Sequence, residues 1–168
     1  AERIKAVARR IALTKENGNH VVVVVSAMGN TTDDLIRQAN AVSESPDSRE
    51  LAILLSTGEL VSCTLVTMAL RSLGYKAISL SGAQAGIRTD RTYGKARISS
   101  VAPQRVKDEL DRGNIVIVAG FQGVSQDTKE ITTLGRGGSD TSAVALAAAL
   151  GAEACEICTD VDGVFSAD

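Results

Sequence analysis

The sequence predicts an α/β fold on a mainly parallel sheet. Segments with strand character alternate with segments of helical periodicity along the chain, and this order is typical of parallel strands joined by right-handed crossovers. Two of the predicted strands, 21–25 and 115–119, are uninterrupted apolar runs. Such runs indicate strands that helices cover on both faces.

The composition excludes several classes of protein. With 168 residues, 44% of them apolar, the chain can bury a core of its own, as one domain or part of one. The net charge is −2 and only 2% of residues are aromatic, so neither a nucleic acid nor a membrane surface is an expected partner. Because the cysteine count is odd and no signal peptide is present, we predict a cytoplasmic protein.

The first half of the chain contains one strand among several helices. Apolar residues recur at helical spacing from Ile4 to Ile11, and Gly18 and Gly74 are placed to end helices. Thr31 opens a helix with acidic residues in its first turn. The predicted elements are a helix at 2–17, a strand at 21–25, a helix from 31, and helices at 48–55 and 59–73.

The second half continues the alternation. Pro103 suits the start of a helix and Gly113 its end, while Gly151 suits the end of an alanine-rich helix. A polar stretch with a turn at 126–129 predicts a hairpin. The predicted elements are a strand at 75–80, a helix at 103–112, a strand at 115–119, the hairpin at 122–134, a helix at 140–150 and a last strand at 153–158.

Small, hydroxyl-bearing and glycine-rich segments follow the predicted strands. In parallel sheets ligands bind beyond the carboxyl ends of the strands. Glycines let backbone amides approach a ligand, and helix N-termini carry partial positive charge, so this edge suits anions such as phosphates. The segments are 26–33, 81–86, 120–123, 133–142 and 159–163.

The segment at 133–142 is the most specific of these. Arg136 is set among glycines, and Ser139 and Thr141 follow at the start of the alanine-rich helix. A guanidinium can bind a carboxylate or a phosphate through two hydrogen bonds. Neither G-x-x-x-x-G-K-[ST] nor a G-x-G-x-x-G after the first strand is present, so a nucleotide would have to bind through other loops.

Four motifs, in order, carry a resemblance to a known family. They are VVVSAMGNTTD at 23–33, STGE at 56–59, TTLGRGGSDT at 132–141 and TDVDGVF at 159–165. From residue 2 to residue 168 the chain resembles the amino-acid-kinase domain of the aspartate kinases. The resemblance implies a three-layer αβα sandwich with the amino-acid-kinase, carbamate-kinase-like fold, and it makes 1–168 a partial amino-acid-kinase catalytic domain.

The resemblance implies transfer of the γ-phosphoryl group of ATP, with Mg²⁺, to the β-carboxylate of L-aspartate. The product, 4-phospho-L-aspartate, enters lysine, threonine and methionine biosynthesis. An acceptor carboxylate is already ionised at neutral pH, so no general base is required, and catalysis becomes positioning plus charge neutralisation. The family also implies a homo-oligomer or an assembly with a regulatory subunit.

Substrate-binding roles follow from the matching motifs. By resemblance, Glu59 would pair with the α-ammonium group of aspartate and Arg136 with a substrate carboxylate. Hydroxyl groups and backbone amides would complete the site. The remaining substrate-binding residues are Asn30, Thr31, Thr32, Gly137, Gly138 and Ser139.

Catalytic and nucleotide-binding roles are implied in the same way. Ser26 and Gly29 would lie beside the transferring phosphoryl group, and Asp140 would orient the phosphate-binding machinery. No metal ligand is assigned. The residues expected to bind the nucleotide are Ser26, Thr159, Asp160, Phe165 and Asp168.

Several of these residues have a purely structural alternative. Glu59 follows a glycine and could be a first-turn acid that the helix dipole favours. Asp140 could cap the alanine-rich helix. Thr31 or Thr32 could likewise be a helix cap with no further role.

Two pairs of residues near the carboxyl end also allow more than one interpretation. Asp160 and Asp162 could bind Mg²⁺ or form an Asx-turn. Cys155 and Cys158 form a C-x-x-C, but they fall within a predicted strand, so we expect buried structural cysteines.

His20 is expected in an exposed turn.

The ends of the chain depart from the family pattern. The family begins with a strand carrying Lys-x-Gly-Gly, whose lysine stabilises the transferring phosphoryl group, and it continues beyond position 168 into regulatory domains. This chain opens at Ala1 without that strand. We therefore expect a fragment with little or no kinase activity by itself.

Two other functions stay open on the sequence. The acceptor could be another small amino-acid carboxylate, which assays with aspartate, glutamate and N-acetylglutamate would distinguish. The chain could also be a nucleotide-binding or assembly module without chemistry of its own. A Lys-x-Gly-Gly motif upstream of Ala1 would argue against that module.

Overall fold

The computed structural model describes residues 1–158 and shows five helices and seven strands in that part of the chain. Helices and strands are mixed along the chain, but one pair of consecutive helices and two runs of three strands interrupt the alternation that the sequence predicts. The elements in order are α1 (Glu2–Glu16), β1 (Val22–Val25), α2 (Thr31–Val42), α3 (Ser48–Ser72), β2 (Ala77–Leu80), β3 (Ile87–Thr89), β4 (Ile98–Val101), α4 (Gln104–Asp111), β5 (Ile115–Ala119), β6 (Gln122–Ser125), β7 (Ile131–Thr133) and α5 (Gly138–Leu150).

The central sheet is parallel, in the order β1-β5-β2. Its middle strand, β5, is fully buried. Ile115, Ile117 and Ala119 pack with residues of α1 and α3, whereas Val116 and Val118 pack with residues of α4 and α5. Because successive side chains of a strand point to opposite faces, the sheet lies between two helical layers. The predicted three-layer αβα sandwich is confirmed.

A second sheet is mixed and has the strand order β4-β3-β6-β7. The hairpin predicted at 122–134 is its antiparallel pair β6 and β7. The sequence does not predict β3 and β4, which are three and four residues long. Neither strand carries the continuous apolar run that indicated the central strands.

Helix α3 corrects the prediction of two helices at 48–55 and 59–73. It runs without a break for 25 residues, and the Asp47 carboxylate caps it by accepting from the amides of Arg49 and Glu50. Gly58 lies inside the helix. A glycine suits this position because a Cβ there would come within 3.1 Å of the Ala27 Cβ. This glycine permits a close approach between segments rather than a helix end, so the local pattern was misleading.

By length and mean hydropathy, 1.7 over its most apolar window, α3 is the one helix in residues 1–158 that could cross a membrane. Half of that window is buried inside the fold. Its buried residues Cys63, Val66 and Leu70 belong to the core cluster between the sheet and α1. This packing is that of a central core helix.

The strand predicted at 153–158 is wrong. These residues form no regular structure and are exposed, and neither edge strand of the central sheet pairs with them. Without a neighbouring strand, their backbone has no ladder of hydrogen bonds to join. Cys155 and Cys158 are therefore exposed rather than buried, which corrects the structural reading of the C-x-x-C. His20 is exposed, as predicted.

The third cysteine has the opposite environment. Cys63 is completely buried, and its thiol contacts the carbonyl oxygen of Ile117 at 3.2 Å. Burial raises the pKa of the Cys63 thiol to about 11. Such a thiol stays protonated at neutral pH and acts as a small apolar core residue.

Candidate active site

The parallel sheet places three strand exits at one edge. Val25 at the end of β1 pairs with Ala119 at the end of β5, and Leu80 at the end of β2 pairs with Val118. The chain segments that follow these residues therefore leave the sheet side by side. This is the edge at which ligands bind in open α/β sheets.

The turn after β1 meets the start of α5, although the two are far apart in sequence. The Ser139 hydroxyl donates to the Ser26 hydroxyl at 3.1 Å. Gly120, directly after β5, permits this approach, since a Cβ there would lie 2.9 Å from the Ser139 Oγ and 2.9 Å from a Val24 methyl. The predicted convergence of these two segments is present.

Glu59 reaches the same rim from the middle of α3. It is 2% exposed, and its Oε1 accepts a hydrogen bond from the amide of Ala27 at 3.2 Å. Its Oε2 is buried and has no hydrogen-bond partner. The interpretation of Glu59 as a first-turn acid is wrong, because α3 begins eleven residues earlier, at Ser48.

The electrostatics of Glu59 follow from this burial. Desolvation raises the pKa of the Glu59 carboxyl, and hydrogen bonds from its own amide and from that of Ala27 only partly oppose the shift. A buried carboxylate with one free oxygen is stabilised by a cation placed against that oxygen. A primary ammonium group, with three N–H donors, fits this requirement.

The glycine-rich segment before α5 presents polar groups to solvent. Arg136 and Asp140 are exposed, and in residues 1–158 no ion pair involves Arg136. Gly137 is the N-cap, with φ +71°, and no side chain caps the helix. The alternative role of Asp140 as the cap is therefore wrong. Helix α5 begins at Gly138, two residues before the predicted start.

The start of α2 forms another part of the rim. Its N-cap is Asn30, whose side chain makes no capping hydrogen bond, so neither Thr31 nor Thr32 has the alternative role of a cap. The Thr31 hydroxyl instead donates to the carbonyl of Met28 at 2.6 Å, and Gly29 has φ +53°. Both threonines are half-buried.

A buried serine that the sequence does not single out connects two of these segments. Ser142 is fully buried, and its hydroxyl accepts from the amide of Phe121 at 3.1 Å and donates to the carbonyl of Gly138 at 2.8 Å. Phe121 has φ +66°, a conformation that a bulky residue adopts only under constraint. The one sequence signal was a serine among alanines in α5.

A second missed group lies below the rim. The Gln122 side-chain amide donates to the carbonyl of Ser56 at 2.8 Å, and both residues are buried. Thr133 is also fully buried, and its hydroxyl has no hydrogen-bond partner. Ser56 and Thr133 lie in two of the four motifs and Gln122 in the segment 120–123, but their contacts join distant elements and leave no local pattern.

The remaining predicted residues lie outside the described part of the chain. These are Thr159, Asp160, Asp162, Phe165 and Asp168, so their roles in nucleotide or Mg²⁺ binding stay predictions. Within residues 1–158 no group of three or more His, Cys, Asp or Glu side chains is arranged to hold a metal ion. The groups suited to phosphate on this side are the glycine-rich segment and the N-terminus of α5.

The chain is closely similar to named proteins. It is 62% identical over its whole length to the aspartokinase of Mycobacterium tuberculosis, of which it covers 40%, and 59% identical over its whole length to that of Corynebacterium glutamicum, again covering 40%. The chain thus spans about two fifths of the length of these curated relatives.

Solved structures of aspartate kinases are similar to this chain as well. The crystal structure of aspartate kinase from Synechocystis matches with a TM-score of 0.80 and 54% identity, over 95% of this chain and 26% of that one. E. coli aspartokinase III in complex with lysine and aspartate matches with a TM-score of 0.75 and 26% identity, over 85% of this chain and 43% of that one. The family model described as "Amino acid kinase family" matches residues 1–168. The chain therefore belongs to the amino acid kinase family.

Proposed function

We propose that this chain is the catalytic portion of an aspartate kinase, which transfers the γ-phosphoryl group of ATP to the β-carboxylate of L-aspartate to form 4-phospho-L-aspartate. The observation that carries the proposal is the free, buried Oε2 of Glu59 at the rim of the sheet. The named relatives, 55–62% identical, are aspartokinases. In such an enzyme the product enters lysine, threonine and methionine biosynthesis in the cytoplasm.

Glu59 would bind the α-ammonium group of the substrate. Its carboxylate lacks a partner on one oxygen, so the ligand's positive charge would relieve the cost of burying it. Arg136, exposed and without an ion pair in residues 1–158, would bind a substrate carboxylate through its two parallel N–H groups. A carboxylate and a guanidinium together would suit an amino acid with an extra carboxylate.

The other rim residues would hold the reacting groups close together. Asn30, Thr31 and Thr32 at the start of α2 would offer hydroxyl and amide contacts to the substrate. Ser26 and Gly29 would lie beside the transferring phosphoryl group. The Ser26 to Ser139 hydrogen bond supports this placement, because it holds the phosphate side and the substrate side of the rim together.

The first turn of α5 would stabilise negative charge. Gly137 and Gly138 leave the backbone open to a ligand, and the N–H groups at a helix N-terminus favour anions. Asp140, exposed in that turn, would orient the donors around the phosphates. Bound Mg²⁺ would neutralise phosphate oxygens of ATP, and Thr159, Asp160, Phe165 and Asp168 are proposed to hold the nucleotide.

Substrate selectivity tests the proposed function. In the intact protein that carries this chain, phosphotransfer from MgATP is expected with L-aspartate, and N-acetyl-L-aspartate should react at least 100-fold more slowly. Acetylation removes the charge that Glu59 would pair with, leaving the carboxylate buried and unpaired. The measurement is acyl phosphate formation, trapped as the hydroxamate. Faster reaction with L-glutamate or with the acetylated acid would overturn the assignment.

We also propose that the protein forms a homo-oligomer. The exposed face of α3 carries Val61, Leu65 and Met68, and between Glu50 and Arg71 its only charged residue is the buried Glu59. A face without charge can meet its own copy without like-charge repulsion. Sedimentation velocity of the intact protein that carries this chain should therefore show a species heavier than one copy of that protein. A monomer would favour the alternative, a regulatory subunit on this face.

A further inference from the structure

Only two buried side-chain oxygens in residues 1–158 lack a hydrogen-bond partner. They are Oε2 of Glu59 and Oγ1 of Thr133. Buried polar atoms are almost always paired in folded proteins, so each exception calls for an explanation. The proposed ammonium group accounts for the Glu59 oxygen, but nothing in the fold accounts for the Thr133 hydroxyl.

Strand pairing places Thr133 against the same part of α3 as Glu59. Thr133 on β7 is the register partner of Gln122 on β6. Directly paired residues of antiparallel strands project their side chains from the same face. The Gln122 side chain reaches the carbonyl of Ser56 at 2.8 Å, so this face of the hairpin is turned toward α3. Ser56 and Glu59 are three residues apart and lie on adjacent turns of that helix.

The neighbouring threonine on β7 has a complete structural role. Thr132 is also fully buried, but it projects from the opposite face of the strand, and its hydroxyl is 2.6 Å from the hydroxyl of Thr89. Two adjacent, fully buried threonines on one strand therefore differ in the hydrogen bonding of their hydroxyl groups. The Thr132 hydroxyl has a hydrogen-bond partner within the fold, whereas the Thr133 hydroxyl has none.

A hydroxyl with no partner destabilises the fold, because burial removes its water and gives nothing in return. Valine has the same shape without the polar atom and would fill the same space. The polar atom is understandable at this position if a ligand supplies the missing hydrogen bond. The other free oxygen belongs to Glu59, which lies on α3 one turn beyond the Ser56 that Gln122 contacts.

We propose that Thr133 is a further substrate-binding residue, whose hydroxyl oxygen accepts a hydrogen bond from the ammonium group held by Glu59. This inference rests on the proposed function and adds the Thr133 hydroxyl as a second hydrogen-bond acceptor for the ammonium group. A primary ammonium has three N–H donors. One would bind Oε2 of Glu59 and another Oγ1 of Thr133, which selects an unsubstituted amino acid over an N-alkylated one.

The test compares Thr133→Val, Thr133→Ser and the matched control Thr132→Val in the intact protein. Titration calorimetry gives the dissociation constants for L-aspartate and for MgATP, and urea unfolding gives stability. Thr133→Val is expected to weaken aspartate binding about tenfold or more, with MgATP binding unchanged and stability equal or higher. Thr133→Ser should keep most of the affinity. Thr132→Val should lose stability and keep aspartate affinity.

The outcomes separate this inference from the proposed function. If the unaltered protein binds L-aspartate and Thr133→Val binds it equally well, the inference is overturned and the proposed function stands. If Thr133→Val and Thr132→Val weaken aspartate binding to the same extent, the effect is structural and the inference fails. If the folded, unaltered protein binds no L-aspartate, both are overturned.

Discussion

Replacing Glu59 with glutamine is expected to weaken the binding of L-aspartate by roughly 100-fold, because it removes the anion that holds the substrate's ammonium group. Breaking a buried, hydrogen-bonded ion pair costs about 3–5 kcal/mol. Glutamine retains an oxygen that can accept a hydrogen bond, so we expect about 3 kcal/mol, which is roughly a factor of 100. Titration calorimetry with L-aspartate and with MgATP checks this, and MgATP binding should not change.

The same substitution should leave the unliganded fold equally stable or more stable. The pKa of the Glu59 carboxyl is raised chiefly by burial, so the folded protein binds this proton more tightly than the unfolded chain does. A raised pKa contributes stability below the unfolded value, near 4.5, and that stability is lost as the pH rises through the folded pKa. Above that pH the charged, half-paired carboxylate opposes folding, and glutamine removes the charge. The stability advantage of Glu59→Gln should therefore grow as the pH rises from about 4.5 through the folded pKa and stay constant above it.

Glu109 offers a matched control for Glu59. It is 3% exposed, but its carboxylate accepts hydrogen bonds from Arg105, Arg112 and Asn114. Burial raises the pKa of the Glu109 carboxyl, and the hydrogen bonds and charges of the two arginines outweigh this and lower it overall. Glu109→Gln should thus destabilise the fold at neutral pH and leave aspartate affinity unchanged. Equal losses of aspartate binding in both variants would contradict the assignment of Glu59.

The central sheet could be predicted because its signal is local. Five consecutive apolar residues, Ile115–Ala119, are enough to indicate a strand covered on both faces. The same local rules failed at Gly58, where a glycine serves the contact with Ala27 inside a continuous helix. They also failed at 153–158, where the described structure provides no strand beside the segment.

Some features of the candidate site could likewise be predicted from the sequence, and others could not. The convergence of Ser26 with Ser139 follows from parallel strands, whose carboxyl ends meet at one edge. Glu59 was found through a motif, and only the structure shows that its Oε2 is free. The roles of Ser142 and Thr133 depend on contacts between distant segments. No periodicity or spacing in the sequence encodes such contacts.

Replacing Gly120 with alanine is expected to separate the turn after β1, which carries Ser26, from the start of α5, which carries Ser139. The added Cβ would lie 2.9 Å from the Ser139 Oγ, 2.9 Å from a Val24 methyl and 3.0 Å from the Ser139 Cα. The Ser139 side chain could rotate away, but its Cα belongs to the backbone of α5, so the helix start would have to move. Overpacking of this kind costs about 1–3 kcal/mol in stability, which urea unfolding would measure.

The functional loss in Gly120→Ala should exceed the loss of stability, because the displaced atoms belong to the proposed site. Moving Ser139 breaks its hydrogen bond to Ser26 and shifts the first turn of α5 away from the strand exits. A displacement of about 1 Å in a positioning site costs on the order of 100-fold in rate, so phosphotransfer in the intact protein should fall by roughly that factor while the protein stays folded.

Gly135→Ala is the control for Gly120→Ala, since it makes the same chemical change in the adjoining glycine-rich segment. A Cβ at Gly135 meets nothing within 4 Å, and no positive φ constrains that residue. Its stability should change by no more than about 0.5 kcal/mol, and phosphotransfer should be retained. If the two alanine variants lose activity equally, flexibility of the glycine-rich segment, rather than the spacing of the strand exits, controls the reaction. The close approach at Gly120 would then be a feature of packing alone.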